Sequence, residues 1–427
     1  MLVAGVQSGC GKTSVTLALL QSLKKQGISV APFKAGPDFL DPLWHKAITG
    51  LTSYNLDTHM VGSEESARLI TQQQDKDLVL VEGVMGLFDG RKGVGEDGSS
   101  LHLASELGLE VWLVVDAKGM SGSVVPLVSG FVDFATRHGV TIGGIIANRV
   151  GSLHHAGLLE SALDEYQLPP LRGWMEKGAP ELPERHLGLV TPDEVVLPDL
   201  SSSFHWVESA IFNTATDNTG RAKSSVVEVD EYDSGKLLKN KKIAVASDGA
   251  CCFIYPANLE WLEWQGARLS YFSPVAGDRV PQGVDAVWLP GGYPELFAEE
   301  LSESDSMSDI REFVETGGYL LAECGGMILL GESLTDYDEK RWPMAGALPF
   351  ATIMQDRLAS LGYRDEKGGA RGHEFHHSTR EESKPLPEAF RLGRGDRGIH
   401  FMNTRASYVH WYFPSAPEQV AGWFGAV

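Results

Sequence analysis

Two stretches of this 427-residue sequence contain residue types whose spacing could support chemistry. The first is the segment 5–13, GVQSGCGKT, which lies between an apolar run and the helical pattern Ser14–Lys25. In such a loop, backbone N–H groups and the helix N-terminus bind phosphate, Lys12 can reach the β- and γ-phosphates, and the Thr13 hydroxyl can bind Mg²⁺. We therefore predict an ATP site. Its predicted nucleotide-binding residues are Gly9, Gly11, Lys12 and Thr13.

The spacing of this loop is a variant of the usual phosphate-binding pattern, G-x4-G-K-[ST]. The position five residues before Gly11 is Val6, and the glycine, Gly5, comes one residue earlier. Partitioning ATPases with a related loop have a lysine where this chain has Gln7, which weakens that interpretation. A glycine-rich turn that only caps a helix is the structural alternative.

Acidic residues follow the next two predicted strands. Asp38 and Asp41 lie after the second strand, and Glu82 and Asp89 lie at the end of the third. Because the carboxyl ends of parallel strands meet at one edge of a sheet, these four carboxylates are predicted to converge on the nucleotide's metal and the reacting group. The alternative is that they cap helices or lie in solvated loops.

The second stretch is 319–330, YLLAECGGMILL, which predicts a strand, a tight turn carrying Cys324, and a helix. This is the pattern of a nucleophile elbow, in which small neighbours, here Ala322 and Gly326, leave room for the nucleophile. The helix N-terminus is expected to lower the pKa of the thiol. The alternative is a thiol buried in the core.

A cysteine nucleophile also needs donors for an oxyanion and a base. The segment 289–295, LPGGYPE, ends another predicted strand, and the amides of Gly292 and Gly325 are our candidates for the oxyanion hole. The spacing does not choose the base; His410 lies in a segment whose pattern predicts a strand, and a packed strand histidine is the alternative. The candidate bases are His373, His376, His377, His400 and His410. Such a pair would attack the amide of a substrate such as glutamine, form a thioester and release ammonia.

The elements that must position these residues follow an alternating pattern. Short apolar runs begin at residues 2, 28, 78, 111 and 142, and a second set begins at 243, 268, 286 and 319, with helical stretches between them. This alternation predicts two α/β domains with parallel sheets. We place an ATP-dependent domain at 1–200, a polar linker at 201–242 and a second domain at 243–427.

Composition restricts the classes of function. The chain has 36 basic and 57 acidic residues, a net charge of −21, which argues against a nucleic-acid binder or a protein held to anionic membranes. The four cysteines form no CxxC pair, the N-terminus has no signal-peptide pattern, and no apolar run is long enough to cross a membrane. We therefore expect a cytoplasmic enzyme that acts on small molecules.

With both sites in one chain, the sequence resembles the cobyrinic acid a,c-diamide synthase family over essentially its whole length. The motifs that carry the resemblance are the phosphate-binding loop, Lys34–Pro42, Asn55–Asp57, Val81–Gly90, Val115–Asp116, Asn148–Val150, Arg185–Val190, Pro290–Leu296, Ala322–Gly326, Gly372–His376 and Ala406–His410. The variant loop spacing is the family's own and is shared with dethiobiotin synthetases. The resemblance implies a dethiobiotin-synthetase-like P-loop domain followed by a flavodoxin-like class I glutaminase domain.

The resemblance also implies roles for individual residues. Cys324 matches the family's nucleophile and His410 the histidine that activates it. The four carboxylates match residues around ATP, Mg²⁺ and the substrate carboxylate, so we expect Asp38 and Glu82 to join Thr13 at the metal. Asp41 and Asp89 are assigned to the substrate and its activation. One departure is Tyr412, which stands where class I glutaminases usually have a glutamate, so the site is better described as a Cys-His dyad.

The activity implied by the resemblance is a C–N ligase reaction. It would use ATP, Mg²⁺ and L-glutamine to amidate the a- and c-acetates of a corrinoid polycarboxylate, cobyrinic or hydrogenobyrinic acid, in cobalamin biosynthesis. A sister enzyme acting on nickel sirohydrochlorin, or cobyric acid synthase, is an alternative. A nucleotide-dependent regulatory protein with an inactive glutaminase domain is an alternative of another class. The oligomeric state stays open, with a homodimer among the options.

A polycarboxylate substrate would be repelled by a chain of charge −21, so attraction must be local. Residues 357–405 contain ten Arg or Lys against seven acidic residues. We expect some of these guanidinium groups, with Arg371 and Arg380 as the test cases, to bind the corrin carboxylates. The alternative is an ordinary basic surface.

Overall fold

A computed structural model describes residues 1–91, 97–182, 184–185, 188–192, 194–207 and 236–426. The chain divides into two compact units, 1–228 and 229–427. Both are mixed α/β units with largely parallel central sheets, as predicted. Most of the predicted linker, 208–235, and part of the motif at 185–190 lie outside the described residues.

The first unit is built around an eight-stranded sheet. The strands described in this unit are β1 (Leu2–Gly5), β2 (Val30–Ala35), β3 (Tyr54–Leu56), β4 (Leu78–Gly86), β5 (Val111–Asp116), β6 (Ile142–Val150), β7 (Leu171–Glu176), β8 (Glu184–Arg185), β9 (Gly188–Leu189) and β10 (Phe204–Trp206). The order across the sheet is β10-β7-β6-β5-β1-β4-β2-β3, while β8 and β9 form a separate hairpin. Strand β10 pairs antiparallel with β7, so residues at the start of the predicted linker form the edge of this sheet.

Helices connect the parallel strands of this sheet. They are α1 (Lys12–Lys25), α2 (Leu40–Thr49), α3 (Ser63–Thr71), α4 (Ser100–Leu107), α5 (Val124–Arg137) and α6 (Leu153–Glu165). Every residue of β1 and β2 is buried, as expected for parallel strands covered on both faces. Because β1, β4 and β2 are neighbours, the three loops that carry the phosphate-binding and acidic motifs leave the sheet side by side.

The second unit contains one central sheet and two smaller ones. Its strands are β11 (Lys242–Ala246), β12 (Arg268–Phe272), β13 (Ala286–Leu289), β14 (Tyr319–Glu323), β15 (Ser333–Thr335), β16 (Arg341–Pro343), β17 (Phe350–Met354), β18 (Ser360–Asp365), β19 (Arg371–His376), β20 (Ser378–Glu382), β21 (Ile399–Phe401), β22 (Thr404–Ser407) and β23 (Val409–Tyr412). Its helices are α7 (Pro256–Trp264), α8 (Ala298–Glu303), α9 (Asp305–Glu315), α10 (Gly325–Ile328) and α11 (Pro417–Trp423).

The central sheet has the order β12-β11-β13-β14-β22-β21 and is parallel except for its edge strand β21. Alternate residues along its strands enter two different cores, as a period of two requires: Val287 and Leu289 belong to one, and Ala286 and Trp288 to the other. The smaller sheets, β16-β15-β17-β20 and β18-β19-β23, were not anticipated from the sequence. The chain passes from the central sheet to the second of these at Tyr408, between β22 and β23.

Candidate active sites

The phosphate-binding loop lies between β1 and α1, and its glycines have backbone conformations that other residues adopt at a cost. Gly9 and Gly11 have φ angles of 74° and 86°. A Cβ atom on Gly11 would lie 1.9 Å from Nδ2 of Asn148, which donates a hydrogen bond to the Cys10 carbonyl at 2.9 Å. A Cβ atom on Gly9 would have no neighbour within 4 Å. The loop is therefore fixed by Asn148 near Gly11, and there is free space beside Gly9.

A buried lysine lies at the centre of the acidic cluster. The Lys34 ammonium group is 2.5 Å from Oδ2 of Asp41, 3.0 Å from Oε1 of Glu82 and 3.9 Å from Oδ2 of Asp38. Burial opposes its charged form, but the three carboxylates outweigh burial and raise the pKa of Lys34. Sequence reasoning assigned no role to Lys34, although its position at the end of a buried strand, four residues before Asp38, was a signal.

The pKa values of the two carboxyl groups closest to Lys34 are shifted in opposite directions. Burial, with Asp38 and Glu82 nearby, raises the pKa of Asp41 despite its ion pair with Lys34. For Glu82, burial is outweighed by Lys34 and His45, so its pKa is held well below the usual range. Burial and the Lys34 charge lower the pKa of Lys12. The cluster thus brings two ammonium groups and three carboxyls together near the phosphate-binding loop.

Glu82 connects three elements of the first unit. The Thr13 hydroxyl donates to its Oε1 at 2.7 Å, and Nε2 of His45 lies 3.0 Å from its Oε2. The other ring nitrogen of His45 is 3.0 Å from the Ser53 hydroxyl, and His45 is fully buried. His45 was missed by sequence reasoning; it lies one helical turn after Asp41, on the same face of α2.

Asp38 and Asp89 have local partners as well. Oδ1 of Asp38 accepts the N–H groups of Leu40 and Asp41, at 2.9 and 3.1 Å, and so caps the start of α2. Oδ2 of Asp89 accepts the Gly86 N–H at 2.8 Å in the turn after β4. That turn is tied to the phosphate-binding loop, because Leu87 N–H donates to the Gly5 carbonyl at 2.8 Å. The described contacts of Asp89 do not reach the Lys34 cluster, so its link to that cluster stays a prediction.

In the second unit, Cys324 lies at a sharp turn between β14 and α10. Its φ and ψ angles are 45° and −109°, a strained conformation for a residue with a side chain. A Cβ atom on Gly326 would lie 2.1 Å from the Leu289 carbonyl oxygen, so the turn requires glycine there. This is the local geometry of a nucleophile elbow.

The structure places His410 beside Cys324. A Cβ atom on Gly291 would lie 2.2 Å from Cε1 of His410 and 3.2 Å from Cβ of Cys324, so both side chains meet at this glycine. Gly291 was not given a role from the sequence, although it belongs to the glycine pair that follows β13. The Cys324 sulfur is also 4.0 Å from the Phe375 carbonyl oxygen.

Burial favours the neutral form of both members of this pair. Burial raises the pKa of the Cys324 thiol, and the hydrogen bond from the Gly325 N–H only partly opposes it. The expected lowering of this pKa by a helix N-terminus is therefore wrong for this structure, in which α10 is only four residues long. Burial, with His373 and His376 nearby, lowers the pKa of His410 well below its usual value. An unprotonated imidazole is the form that can accept the thiol proton.

The two glycines predicted to form the oxyanion hole are neighbours. A Cβ atom on Gly325 would lie 2.8 Å from the Gly292 nitrogen and 3.0 Å from its oxygen. The Gly291 carbonyl accepts the Phe253 N–H at 2.8 Å, which fixes this segment against the chain after β11. The two amide groups thus lie in one region next to Cys324, which keeps the oxyanion-hole prediction consistent with the geometry.

The other histidines have different surroundings. The ring of His373 stacks on His410, with centroids 5.1 Å apart, and its Nδ1 is 2.9 Å from the Tyr255 hydroxyl. Burial, with the charge of Arg364, lowers the pKa of His373 to about 3. His376 lies 2.9 Å from Oε1 of Glu374 and stacks on Tyr408. Sequence spacing could not distinguish these roles because they depend on the pairing of β19 with β23.

Two of the arginines considered for the corrin carboxylates are bonded inside the unit. Arg364 is buried and donates to Oε2 of Glu374 at 2.5 Å. Arg380 makes two hydrogen bonds of 3.0 Å to Asp396 and lies 3.0 Å from Glu382. Arg380 therefore already has carboxylate partners, which argues against its proposed role as a free binder of substrate. Arg371 is half-buried in β19.

Comparison with known proteins identifies the same two parts. Residues 1–188 match the CobQ/CobB/MinD/ParA nucleotide-binding domain, and residues 242–418 match the CobB/CobQ-like glutamine amidotransferase domain. Cobyrinate a,c-diamide synthase from Herminiimonas arsenicoxydans is 37% identical over 99% of this chain and 95% of its own. Hydrogenobyrinate a,c-diamide synthase from Stutzerimonas stutzeri is 39% identical over 99% of this chain and 97% of its own.

The chain belongs to the cobyrinate a,c-diamide synthase family. The resemblance inferred from the motifs is thereby confirmed, together with the fold class of both units. Membership makes the chain a glutamine amidotransferase of the C–N ligase type, with a nucleotide-binding domain. Among solved structures, chloroplast FtsY from Physcomitrella patens matches 49% of this chain and 61% of its own at 16% identity, with a TM-score of 0.33.

Two features of the described residues concern membrane spans and metal ligands. No helix among them is long and apolar enough to cross a membrane. The described part of the chain also contains no group of three or more His, Cys, Asp or Glu side chains arranged to hold a metal ion.

Proposed function

We propose that the protein converts the a- and c-acetate carboxylates of cobyrinate or hydrogenobyrinate to amides, with ATP as the source of activation and glutamine as the source of nitrogen. The observation that carries this proposal is the presence of both sites in one chain that aligns from end to end with enzymes of those two names. Each site supplies one of the two reactants that an amide bond requires.

The first unit is assigned to activation of the carboxylate. A carboxylate resists attack by ammonia because oxide is a poor leaving group. Attack of an acetate oxygen on the γ-phosphorus of ATP releases ADP and gives an acyl phosphate, whose leaving group is phosphate. The developing charge on the phosphoryl oxygens is stabilised by Lys12, and the loop amides from Gly9 to Thr13 bind the phosphates.

Mg²⁺ fits the residues near this loop as a cofactor that comes with ATP. The Thr13 hydroxyl and Glu82 carboxylate are 2.7 Å apart, and a Mg²⁺ ion bound to nucleotide commonly takes one or two protein oxygens, with phosphates and water completing its shell. Thr13 and Glu82 would hold the ion, which neutralises phosphate charge when bound. Asp38 is the weaker candidate, because its carboxylate caps α2.

The second unit is assigned to the release of ammonia from glutamine. The Cys324 sulfur attacks the side-chain amide carbon as its proton passes to the unprotonated nitrogen of His410, and the amide oxygen gains charge facing the Gly292 and Gly325 N–H groups. Collapse of this intermediate, with the proton from His410 delivered to the leaving nitrogen, gives ammonia and a thioester. Water then hydrolyses the thioester to glutamate. Ammonia attacks the acyl phosphate, and the cycle repeats at the second acetate.

The proposal is tested by incubating the full-length protein with Mg²⁺, ATP, glutamine and one macrocycle at a time. The macrocycles are cobyrinate, hydrogenobyrinate, nickel sirohydrochlorin and cobyrinate a,c-diamide. Mass spectrometry should detect two amidations of cobyrinate or hydrogenobyrinate, with one ADP and one glutamate formed for each. Amidation of only nickel sirohydrochlorin or only the a,c-diamide would assign the chain to a sister enzyme, and the absence of glutaminase activity would support a regulatory role.

A further inference from the structure

One buried carboxyl group contacts all three segments that build the Cys324 site. Glu323 is the last residue of β14 and is bonded directly to Cys324; its side chain is only 2% exposed. Its Oε1 accepts the backbone N–H of Trp411 at 2.8 Å, and its Oε2 accepts the indole N–H of Trp288 at 3.0 Å. Trp411 follows His410 in the chain, and Trp288 lies in the strand that leads into the glycine pair.

One of these two hydrogen bonds joins two sheets, and the other joins neighbouring strands of the central sheet. Strands β13 and β14 lie side by side in the central sheet, whereas β23, which carries His410 and Trp411, pairs with β19 in a separate sheet. The bond from Trp411 therefore fixes the height of the His410 strand against the end of the nucleophile strand. The bond from Trp288 fixes the same carboxyl group against β13.

A glutamate is a costly residue to use for this purpose. Burying a carboxyl group opposes its ionisation, and the pKa of Glu323 is raised to about 8 in spite of its two N–H donors. The described hydrogen bonds and ion pairs of Glu323 include no Lys or Arg. An apolar side chain at this position would avoid the cost of burial but would leave the Trp411 and Trp288 N–H groups without their acceptor.

We propose that Glu323 is a positioning residue of the glutaminase reaction: its carboxyl group sets the distance and orientation between Cys324, His410 and the Gly291–Gly292 turn. It does not touch the reacting atoms. This inference rests on the assignment of Cys324 and His410 as the nucleophile and its base. Displacement of a reacting group by about 1 Å can lower a rate on the order of 100-fold, so a carboxyl group that fixes three segments affects turnover more than substrate affinity.

The test compares the full-length wild-type protein with Glu323→Gln, Glu323→Ala, Trp288→Phe and Cys324→Ser. Glutamine-driven and ammonium-driven amidation are both measured, along with the kcat and KM for glutamine hydrolysis, the rate at which iodoacetamide alkylates Cys324, and the melting temperature. Glu323→Gln keeps the size and one acceptor oxygen, and Trp288→Phe removes one donor while leaving the carboxyl group in place.

We expect kcat for glutamine to fall roughly 100-fold in Glu323→Ala and about tenfold in Glu323→Gln and Trp288→Phe, with KM changed less than about threefold. Alkylation of Cys324 should slow in the same order, while ammonium-driven amidation stays at the wild-type level and Glu323→Gln melts no lower than the wild type. If Glu323→Ala does not fold, the other two variants retain the comparison.

Two results would overturn the inference. One is glutamine-driven kcat within twofold of wild type in both Glu323→Gln and Trp288→Phe. The other is a loss of glutamine-driven activity that is matched by equal loss of ammonium-driven activity and a lower melting temperature, which would make Glu323 a residue of general stability. Cys324→Ser tests the nucleophile separately: if this variant still uses glutamine, the assignment of the nucleophile has failed rather than the role of Glu323.

Discussion

At the scale of single residues, the Cys324 site stores its reactants in their neutral forms. Burial raises the pKa of the thiol and lowers that of His410, so it favours the neutral form of both side chains. The proton must therefore move during attack on the amide, when the oxyanion gains the Gly292 and Gly325 donors. A buried neutral thiol is also protected from oxidation, because the reactive form is the thiolate.

The first prediction concerns Cys324 itself. Cys324→Ser should abolish glutamine-driven amidation, because the hydroxyl is a far weaker nucleophile than the thiol beside the same histidine. Amidation with ammonium salts should be unchanged, since activation of the carboxylate belongs to the other unit. Both rates are measured with saturating ATP, and Cys252→Ser, which alters a half-buried cysteine outside the elbow, is the control. Loss of both activities in Cys324→Ser alone would mean that the cysteine is structural.

The second prediction concerns Lys12. Lys12→Ala should lower amidation from glutamine and from ammonium by the same factor, roughly 100-fold or more, because both need the activated carboxylate. Hydrolysis of glutamine without the macrocycle should continue. Lys25→Ala is a matched control, since Lys25 ends the same helix in an exposed ion pair with Asp199. Wild-type turnover by Lys12→Ala would reject the phosphate-binding role of the loop.

At the scale of elements, each site forms where adjacent parallel strands end. The loops after β1, β4 and β2 build the first site, and those after β13, β14 and β22 build the second. The sequence could predict this much, because buried strands are short, apolar and rich in β-branched residues. It could not predict β15 to β20, because these strands are short and most of them are polar, as in Arg371–His376.

This difference explains which site residues were found. Cys324 and Lys12 lie directly after strongly apolar strands, in turns whose glycines identify them. Lys34 and His45 were missed, and His373 could not be told apart from the other candidate bases, because their roles depend on contacts between elements that are far apart in the chain. The pairing of His373 with His410 requires the register of two polar strands, and register is set by packing and turns that a single sequence does not display.

The third prediction tests the shape of the phosphate-binding loop. Gly11→Ala places a methyl group 1.9 Å from the Asn148 amide nitrogen. It also requires alanine to adopt a φ angle of 86°, which is strained for a residue with a side chain. We expect amidation with either nitrogen source to fall at least tenfold and binding of a fluorescent ATP analogue to weaken in parallel, with glutamine hydrolysis unchanged. Gly27→Ala is the control: its φ is 76°, but its Cβ atom would have no neighbour within 4 Å. It shares the backbone strain, about 1–2 kcal/mol, without the clash. Equal effects of the two variants on ATP binding would show that strain alone is responsible.

At the scale of the whole molecule, acidic groups dominate a protein whose proposed substrate is a polycarboxylate. The net charge of −21 favours solubility but should slow the approach of an anion. Arg364 and Arg380 are paired with carboxylates inside the second unit, so fewer of its basic groups are available to bind the substrate. Lys34 in the first unit is likewise buried among Asp38, Asp41 and Glu82, so Lys12 is the cation that we assign to the phosphoryl group and the acetate.

The buried titratable groups of the second unit also make its stability depend on pH in two opposite ways. The pKa of His373 is lowered to about 3, and that of His410 is lowered too, so below about pH 6.5 the unfolded chain takes up protons that the folded unit does not. This destabilises the fold as the pH falls from about 6.5 towards 3. Glu323 acts in the other direction: its pKa is about 8 in the fold and near 4.5 when exposed. Its contribution to stability is complete below pH 4.5 and is lost as the pH rises to about 8.

The fourth prediction follows from that sign. Glu323→Gln cannot ionise, so its unfolding free energy relative to wild type should rise steadily between about pH 5 and pH 8, by about 1.4 kcal/mol per pH unit at most. Urea unfolding of the full-length protein, followed by tryptophan fluorescence at several pH values, measures this difference because Trp288 and Trp411 both contact the Glu323 carboxyl group. Glu381→Gln, which removes an exposed carboxylate of β20, is the control and should give a difference that does not change with pH. A Glu323→Gln difference that is equally flat would mean that Glu323 is already ionised in the fold, and its burial would then be stabilised by the two N–H donors alone.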